Sequence, residues 1–231
     1  MNGQKKNQGK LIIIEAGDGS GKATQTQKLY GKLNQEGLPV KKVEFPNYGS
    51  PSSALVKMYL GGSFGQNPND VNPYVASTFY TVDRFASFKT EWETFYREGG
   101  IILADRYTTS NMVHQAAKIK NIDERSQYLN WLKEFEYKMF KLPEPDLVIF
   151  LDMPPEYSLK LIELRSEAAS ITKDIHENAP GYLRTSYENA LKIAQTENWA
   201  RINCIRDDQT IKSVEEIHQE VYALVKPLLR A

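Results

Sequence analysis

The stretch Ala16-Gly17-Asp18-Gly19-Ser20-Gly21-Lys22-Ala23-Thr24 carries the clearest chemistry in the chain. Three glycines at alternate positions let backbone N–H groups turn inward around phosphate oxygens. An apolar run precedes them and a helical pattern follows, so the positive end of a helix dipole adds to the loop. Lys22 then sits where an ammonium reaches the β- and γ-phosphates of a nucleotide. The set Gly17, Asp18, Gly19, Ser20, Gly21, Lys22, Ala23 and Thr24 is therefore the expected ATP-binding loop. It departs from the usual pattern at two points. Ala16 replaces the first glycine, which is mild if its φ stays negative. Ala23 replaces the hydroxyl residue that normally ligates Mg²⁺, and Thr24 lies about 100° further round the helix. Water can complete the shell of a Mg²⁺ ion, which keeps several waters in most sites.

Those residues need a strand before them and a helix after them, and the chain supplies both repeatedly. Apolar runs at Leu11–Glu15, Val40–Phe45, Ile101–Ala104, Leu147–Asp152 and Arg201–Ile205 read as strands. Helical patterns follow. One carries Leu29, Tyr30 and Leu33 and stops at Gly37, a C-terminal cap. Others cover Ser53–Leu60, Tyr74–Glu98, Tyr128–Lys141 and Val214–Leu229, with a Gly/Asn/Pro-rich loop over Gly61–Pro73. Apolar strands alternating with helices predict an α/β fold, a five-stranded parallel sheet covered by helices on both faces. No linker divides it, so a single domain is expected over 10–231, after a flexible tail over 1–9.

Composition limits the alternatives. The 231 residues are 41% apolar and 25% charged, as in a chain that buries a sizeable core. With 29 basic against 29 acidic residues no global field draws in a polyanion, so nucleic acid is not an expected partner. The apolar runs are far short of the roughly 20 residues of a membrane span. The polar, basic N-terminus does not read as a signal peptide. One cysteine, Cys204, makes neither an intramolecular disulfide nor a thiolate cluster and fits a reducing compartment. A soluble, cytoplasmic protein is expected.

Asp105 and Arg106 end the third strand, on the side where open parallel sheets bind ligands. An Asp there holds the water shell of Mg²⁺, and an adjacent Arg grips a phosphate bidentately. A strand-end salt bridge remains the plain alternative.

The wider constellation resembles the thymidylate kinase family of P-loop nucleoside monophosphate kinases. The carrying segments are Glu15 to Gln25, Phe45-Pro46, Phe79-Tyr80 with Asp83-Arg84, and Asp105-Arg106-Tyr107 through Ser110 to Gln115. Pro145-Asp146 through Asp152 to Pro155 completes them, in the family's order and spacing. The resemblance implies a three-layer P-loop NTPase fold, a homodimer, and transfer of the ATP γ-phosphoryl group to dTMP with Mg²⁺ as cofactor. Carried over, Asp18 hydrogen-bonds the sugar 3′-hydroxyl, Tyr80 takes the place of the aromatic that stacks on thymine, and Arg84 reads the base edge. Arg106 holds the acceptor phosphate, Ser110 and Gln115 line the base and sugar pocket, and Phe45 opens the Phe-Pro segment. Lys22, Asp105 and Arg165 form the catalytic set, with Asp105 holding the metal through water. Each has a plainer reading: Tyr80 packs with Phe79, Phe85 and Phe88, Arg84 makes a solvated ion pair, and Ser110 caps a helix.

Two departures keep alternatives open. Tyr48 stands where the family commonly has an arginine on the acceptor phosphate, which leaves that duty to Arg106. The lid expected over 164–178 is sparse, with Arg165 and Lys173 as its only fixed cations. Another deoxynucleotide, or a nucleoside acceptor with Glu15 or Asp105 as general base, stays in view. So does a nucleotide-binding protein with weak catalysis, favoured by Ala23 and the thin lid.

Overall fold

The structure, a computed structural model, describes residues 8–169 and 180–230, with side chains described for 8–162 and 181–229. Five strands form one parallel sheet in the order β2-β3-β1-β4-β5. They are β1 (Lys10–Ala16), β2 (Val40–Glu44), β3 (Ile101–Asp105), β4 (Leu147–Asp152) and β5 (Ala200–Asn203). All five lie within a residue or two of the apolar runs that predict them. Central β1 is buried on both faces, which is why it reads as a continuous apolar run with no alternation. It pairs Ile13 with Ala104 of β3 and with Val148 of β4. Edge strand β2 carries Lys41 and Lys42 among its residues, polar enough to tolerate an unpaired edge.

Ile12, Ile14 and Ala16 point to one face, where they pack with Leu29 and Leu33 of α1 (Lys22–Gln35). The same cluster takes Ile217, Val221 and Val225 from α9 (Val214–Val225). Leu11 and Ile13 point to the other face, against Phe88, Trp92 and Tyr96. That face is covered by α3 (Pro73–Ser87), a π-helical turn (Phe88–Trp92) and α4 (Glu93–Arg97). It continues through α5 (Thr108–His114) and α8 (Pro180–Thr196), which meet Phe150 of β4 through Val113, Ala190 and Ala194. Helix α2 (Ala54–Leu60) and α7 (Pro155–Ala169) complete the set with α6 (Ile122–Lys133), which runs into a second π-helical turn (Glu134–Met139).

Several boundaries move for identifiable reasons. Helix α1 ends as expected at Gly37, whose φ of 75° sends its N–H to Asn34 O and that of Leu38 to Leu33 O. The helix expected from Tyr128 begins at Ile122, because Asn121 Oδ1 caps it by accepting from Asp123 N and Glu124 N. The closing helix stops at Val225 and tightens into a 3₁₀ turn over Lys226–Arg230. Of the tail expected over 1–9, residues 1–7 lie outside the described residues. Gly9 N donates to Tyr96 O and Gln8 Nε2 to Tyr96 Oη, so attachment begins before β1. Among the described residues no helix is long and apolar enough to cross a membrane.

Candidate active site

The loop from β1 to α1 is built as its glycines demand. Gly19 and Gly21 take φ values of 75° and 82°, the left-handed region that other residues enter at a cost. A Cβ at Gly19 would also meet Ser158 O and Ile162 Cγ1 of α7 at 2.6 Å, so the loop is seated on that helix. Lys22 folds back across the loop and donates to Gly17 O at 2.9 Å, with Asp18 Oδ1 at 3.8 Å. Burial lowers its ammonium pKa and Arg106 adds to the effect, while Asp18, Asp105 and Glu15 oppose it. Ser20 is buried and its Oγ has no hydrogen-bond partner among the described residues. Ala23 and Thr24 are exposed on the first turn of α1.

Arg106 is the hinge of the site. It follows β3 with a φ of 67°, strained for a non-glycine residue. That turn aims its guanidinium back at the loop, where Nη2 pairs with Asp18 Oδ1. Nη1 reaches Ser110 Oγ at 3.3 Å and His114 Nε2 at 3.1 Å. Burial works against its charge, but Asp18, Glu15 and Asp105 outweigh it and hold the pKa above its ordinary value. Glu15, fully buried, accepts from Thr109 Oγ1 and Ser110 Oγ, both at 2.7 Å, and from Ala16 N at 3.1 Å. Ser110 is thus bound to the carboxylate instead of capping α5.

Beside Arg106 a cavity of about 100 Å³ opens between α3, α5 and the segment after β2. Asp18, Phe45, Tyr48, Tyr80, Arg84, Arg106, Ser110 and Gln115, drawn from four separate segments of sequence, all line it. Tyr80 is half-buried, edge-on to Tyr59 at 6.3 Å, so it packs and lines the pocket at once. Tyr48 is exposed at the mouth. Arg84 departs from the expectation of a solvated ion pair: it is 1% exposed and doubly paired, through Nε and Nη2, with Glu136. Asp83 next to it accepts from Asn47 N at 2.7 Å and Ser52 Oγ at 2.6 Å, fixing the segment after Phe45-Pro46, whose peptide bond is cis.

Sequence reasoning passed over Leu60, Asn111 and His114, which also line the pocket. The signal was present: His114 stands one helical turn past Ser110 and faces the same way. Asp105 is half-buried at the end of β3, opposite Ile14 of β1, and interacts electrostatically with both Lys22 and Arg106. Among the described residues no three metal-ligating side chains cluster. Asp208 is committed to its own turn, accepting from Thr210 N and Oγ1. Arg165 lies on α7 with its side chain outside the described residues, and most of the expected lid, 170–178, lies outside them entirely.

A parallel sheet of this order, with a glycine-rich loop between β1 and α1 and a basic pocket beside it, defines a P-loop nucleotide-binding enzyme. The thymidylate kinase family model matches residues 14–221, and the chain belongs to that family, whose activity is phosphorylation of dTMP by ATP. It is 30% identical over 223 residues to a probable thymidylate kinase of Pyrobaculum aerophilum, covering 95% of this chain and 98% of the relative. It is 28% identical over 218 residues to a probable thymidylate kinase of Pyrococcus horikoshii, covering 94% and 96%. The thymidylate kinase of Mycobacterium tuberculosis is 28% identical over 186 residues, 80% of each chain. The solved thymidylate kinase of Candida albicans superposes with a TM-score of 0.68 at 22% identity, covering 95% of this chain and 92% of that one, a likeness of fold.

Proposed function

We propose that this protein binds ATP at the Gly17–Thr24 loop and dTMP in the adjoining pocket, and transfers the γ-phosphoryl group between them. The observation that carries the reading is the placement of Arg106, one guanidinium touching the loop through Asp18 and the pocket through Ser110 and His114. An acceptor phosphate that displaces Asp18 from Arg106 would lie beside the loop that holds the donor phosphates. No general base is required, because the nucleophile is already an ionised phosphate oxygen. Lys22 and Arg106 supply positive charge where negative charge builds up in transfer, and their partial withdrawal from water strengthens that effect. Arg165 is assigned to the transferring group from the lid side.

Mg²⁺ is part of the proposal. The oxygen donors suit a hard cation, and an ion held by one carboxylate, water and substrate phosphates needs no protein cage. Asp105 would hold it through water, with the Ser20 hydroxyl, buried without a partner among the described residues, a second oxygen donor at the loop. Bound there, the ion would neutralise charge on the donor phosphates.

A homodimer is proposed as well, supported by an exposed apolar stripe on α2 and α3 formed by Leu55, Met58, Val75, Val82 and Phe85. A cytoplasmic location fits the unoxidised, buried Cys204. A nucleoside acceptor is the weaker reading, because Glu15, one of its two candidate bases, already accepts three hydrogen bonds in full burial.

ADP release with ATP and Mg²⁺ across dTMP, dUMP, dCMP, dAMP, dGMP and thymidine tests the assignment. Turnover fastest with dTMP and lost in Lys22→Ala is expected. Preference for another acceptor overturns the base assignment, and silence on all of them overturns the kinase.

A further inference from the structure

We propose that Glu136 is a positioning residue for the acceptor base: it lines no part of the pocket, yet it fixes the one arginine in the pocket wall that can read a base edge. The inference rests on the proposed reading of the pocket as the dTMP site.

Glu136 is fully buried in the π-helical turn after α6. Its two oxygens accept from Thr81 Oγ1 at 2.9 Å, Thr108 Oγ1 at 2.6 Å, Arg84 Nε at 2.8 Å and Arg84 Nη2. Those donors belong to α3 and α5, the two helices that wall the pocket. One carboxylate therefore ties both walls together and takes the Nε–Nη2 edge of Arg84. The remaining nitrogen, Nη1, makes only a 3.4 Å contact to Tyr107 O and is the edge left for a ligand.

The chemistry follows from what a guanidinium lacks. It carries five N–H donors and no acceptor, and it stays charged. Held in one orientation, it pairs with a base carbonyl and meets an exocyclic amino group donor to donor. A pyrimidine with a carbonyl at that edge is favoured over cytosine, by geometry and not by contact area. Stability alone does not account for the pair, since a buried ion pair is commonly matched or bettered by apolar residues of similar volume. The π-turn adds a local cost as well, because its i→i+5 bonding is rare outside sites that need a side chain re-aimed.

The test compares wild type with Glu136→Gln, Glu136→Asp, Arg84→Gln and the double variants Glu136→Gln/Arg84→Gln and Glu136→Asp/Arg84→Gln. KM and kcat for dTMP and for dCMP are measured at saturating ATP, the KM for ATP at saturating dTMP, and the Kd for dTMP by calorimetry. Glu136→Gln is expected to raise the dTMP KM about tenfold, with kcat within a factor of about three and the ATP KM within about twofold. Preference for dTMP over dCMP shrinks with it. In the Arg84→Gln background the same change moves the dTMP KM less than about twofold, the signature of action through Arg84. Glu136→Asp, which keeps the charge, is expected to fall between wild type and Glu136→Gln. If Glu136→Gln does not fold, Glu136→Asp decides by the same comparison.

An unchanged dTMP KM, a rise of equal size in both backgrounds, or a parallel loss against ATP overturns the proposal. Wild-type protein that binds dTMP without turning it over overturns the kinase and leaves Glu136 to be judged on the Kd values. Wild-type protein that does not bind dTMP overturns both.

Discussion

Arg106 is the residue on which donor and acceptor halves of the site meet, and its backbone shows what that position demands. A φ of 67° at a non-glycine residue costs on the order of 1–3 kcal/mol, sustained here by contacts to Asp18, Ser110 and His114. With Tyr48 exposed at the mouth in place of a second guanidinium, the proposed acceptor-phosphate site has Arg106 as its main anchor. Loss of a charged hydrogen-bond partner of this kind is worth about 1.5–3 kcal/mol. Arg106→Gln should therefore raise the dTMP KM by roughly ten- to a hundredfold, while the ATP KM moves far less. Steady-state kinetics with each substrate varied in turn checks this. Equal losses for the two substrates would mean that Arg106 mainly supports the loop through Asp18.

At the scale of elements, α2 and α3 do two jobs: their inner faces build the pocket and their outer faces carry the apolar stripe. Val82 is 45% exposed and sits mid-stripe, two residues before Arg84, which points inward. Val82→Glu is expected to leave the fold near its original stability, since nothing in the core is disturbed. It should dissociate the proposed dimer, so light scattering falls from the mass of two 26.4 kDa chains to that of one. A single-chain mass for wild type removes the dimer. The same helices show what is legible from sequence. The central strands β1, β3 and β4 are, because a strand buried on both faces must be apolar throughout, whereas edge strands β2 and β5 mix polar with apolar residues. The phosphate loop is, because only glycine suits the backbone at Gly19 and Gly21. The Arg84–Glu136 pair is half-legible. Glu136 stands four residues after Leu132 and eight after Tyr128, so it interrupts a buried stripe. Arg84 does the same on α3, seven residues after Ser77. An acid continuing the apolar stripe of α6 and an arginine on a buried, mostly polar face of α3 hint at a buried pair, but the π-turn that completes the contact has no signature in apolar spacing. Helix α8 escapes altogether, since Pro180 and Gly181 mask a start that tertiary packing of Ala190, Ile193 and Ala194 enforces.

The whole molecule is held at one more point that links the α2–α3 excursion to the body. Lys118, on the 3₁₀ turn after α5, donates to Tyr59 Oη at 2.9 Å and to Val71 O at 3.1 Å. Among the described residues no carboxylate pairs with it, and burial pushes its ammonium down to about 7. The unfolded chain holds that proton up to about pH 10.4. Between those values the unfolded state binds more protons than the folded one, so stability rises with pH, by about 1.4 kcal/mol per unit for a full proton. Below pH 7 both states are protonated and the slope from this group vanishes. Above about pH 9 the direction reverses. Burial holds the Cys204 thiol up at about 12 and raises the hydroxyls of Tyr107, Tyr128 and Tyr182, so the folded state then keeps protons that the unfolded state has lost. Stability should climb by about 2 kcal/mol from pH 7 to a maximum near pH 9, then fall. Urea denaturation at half-unit steps across that range checks the curve. Lys118→Met should flatten its rising limb and leave the falling limb in place. A rising limb that survives the substitution would assign the titration to another group and leave Lys118 charged in the fold.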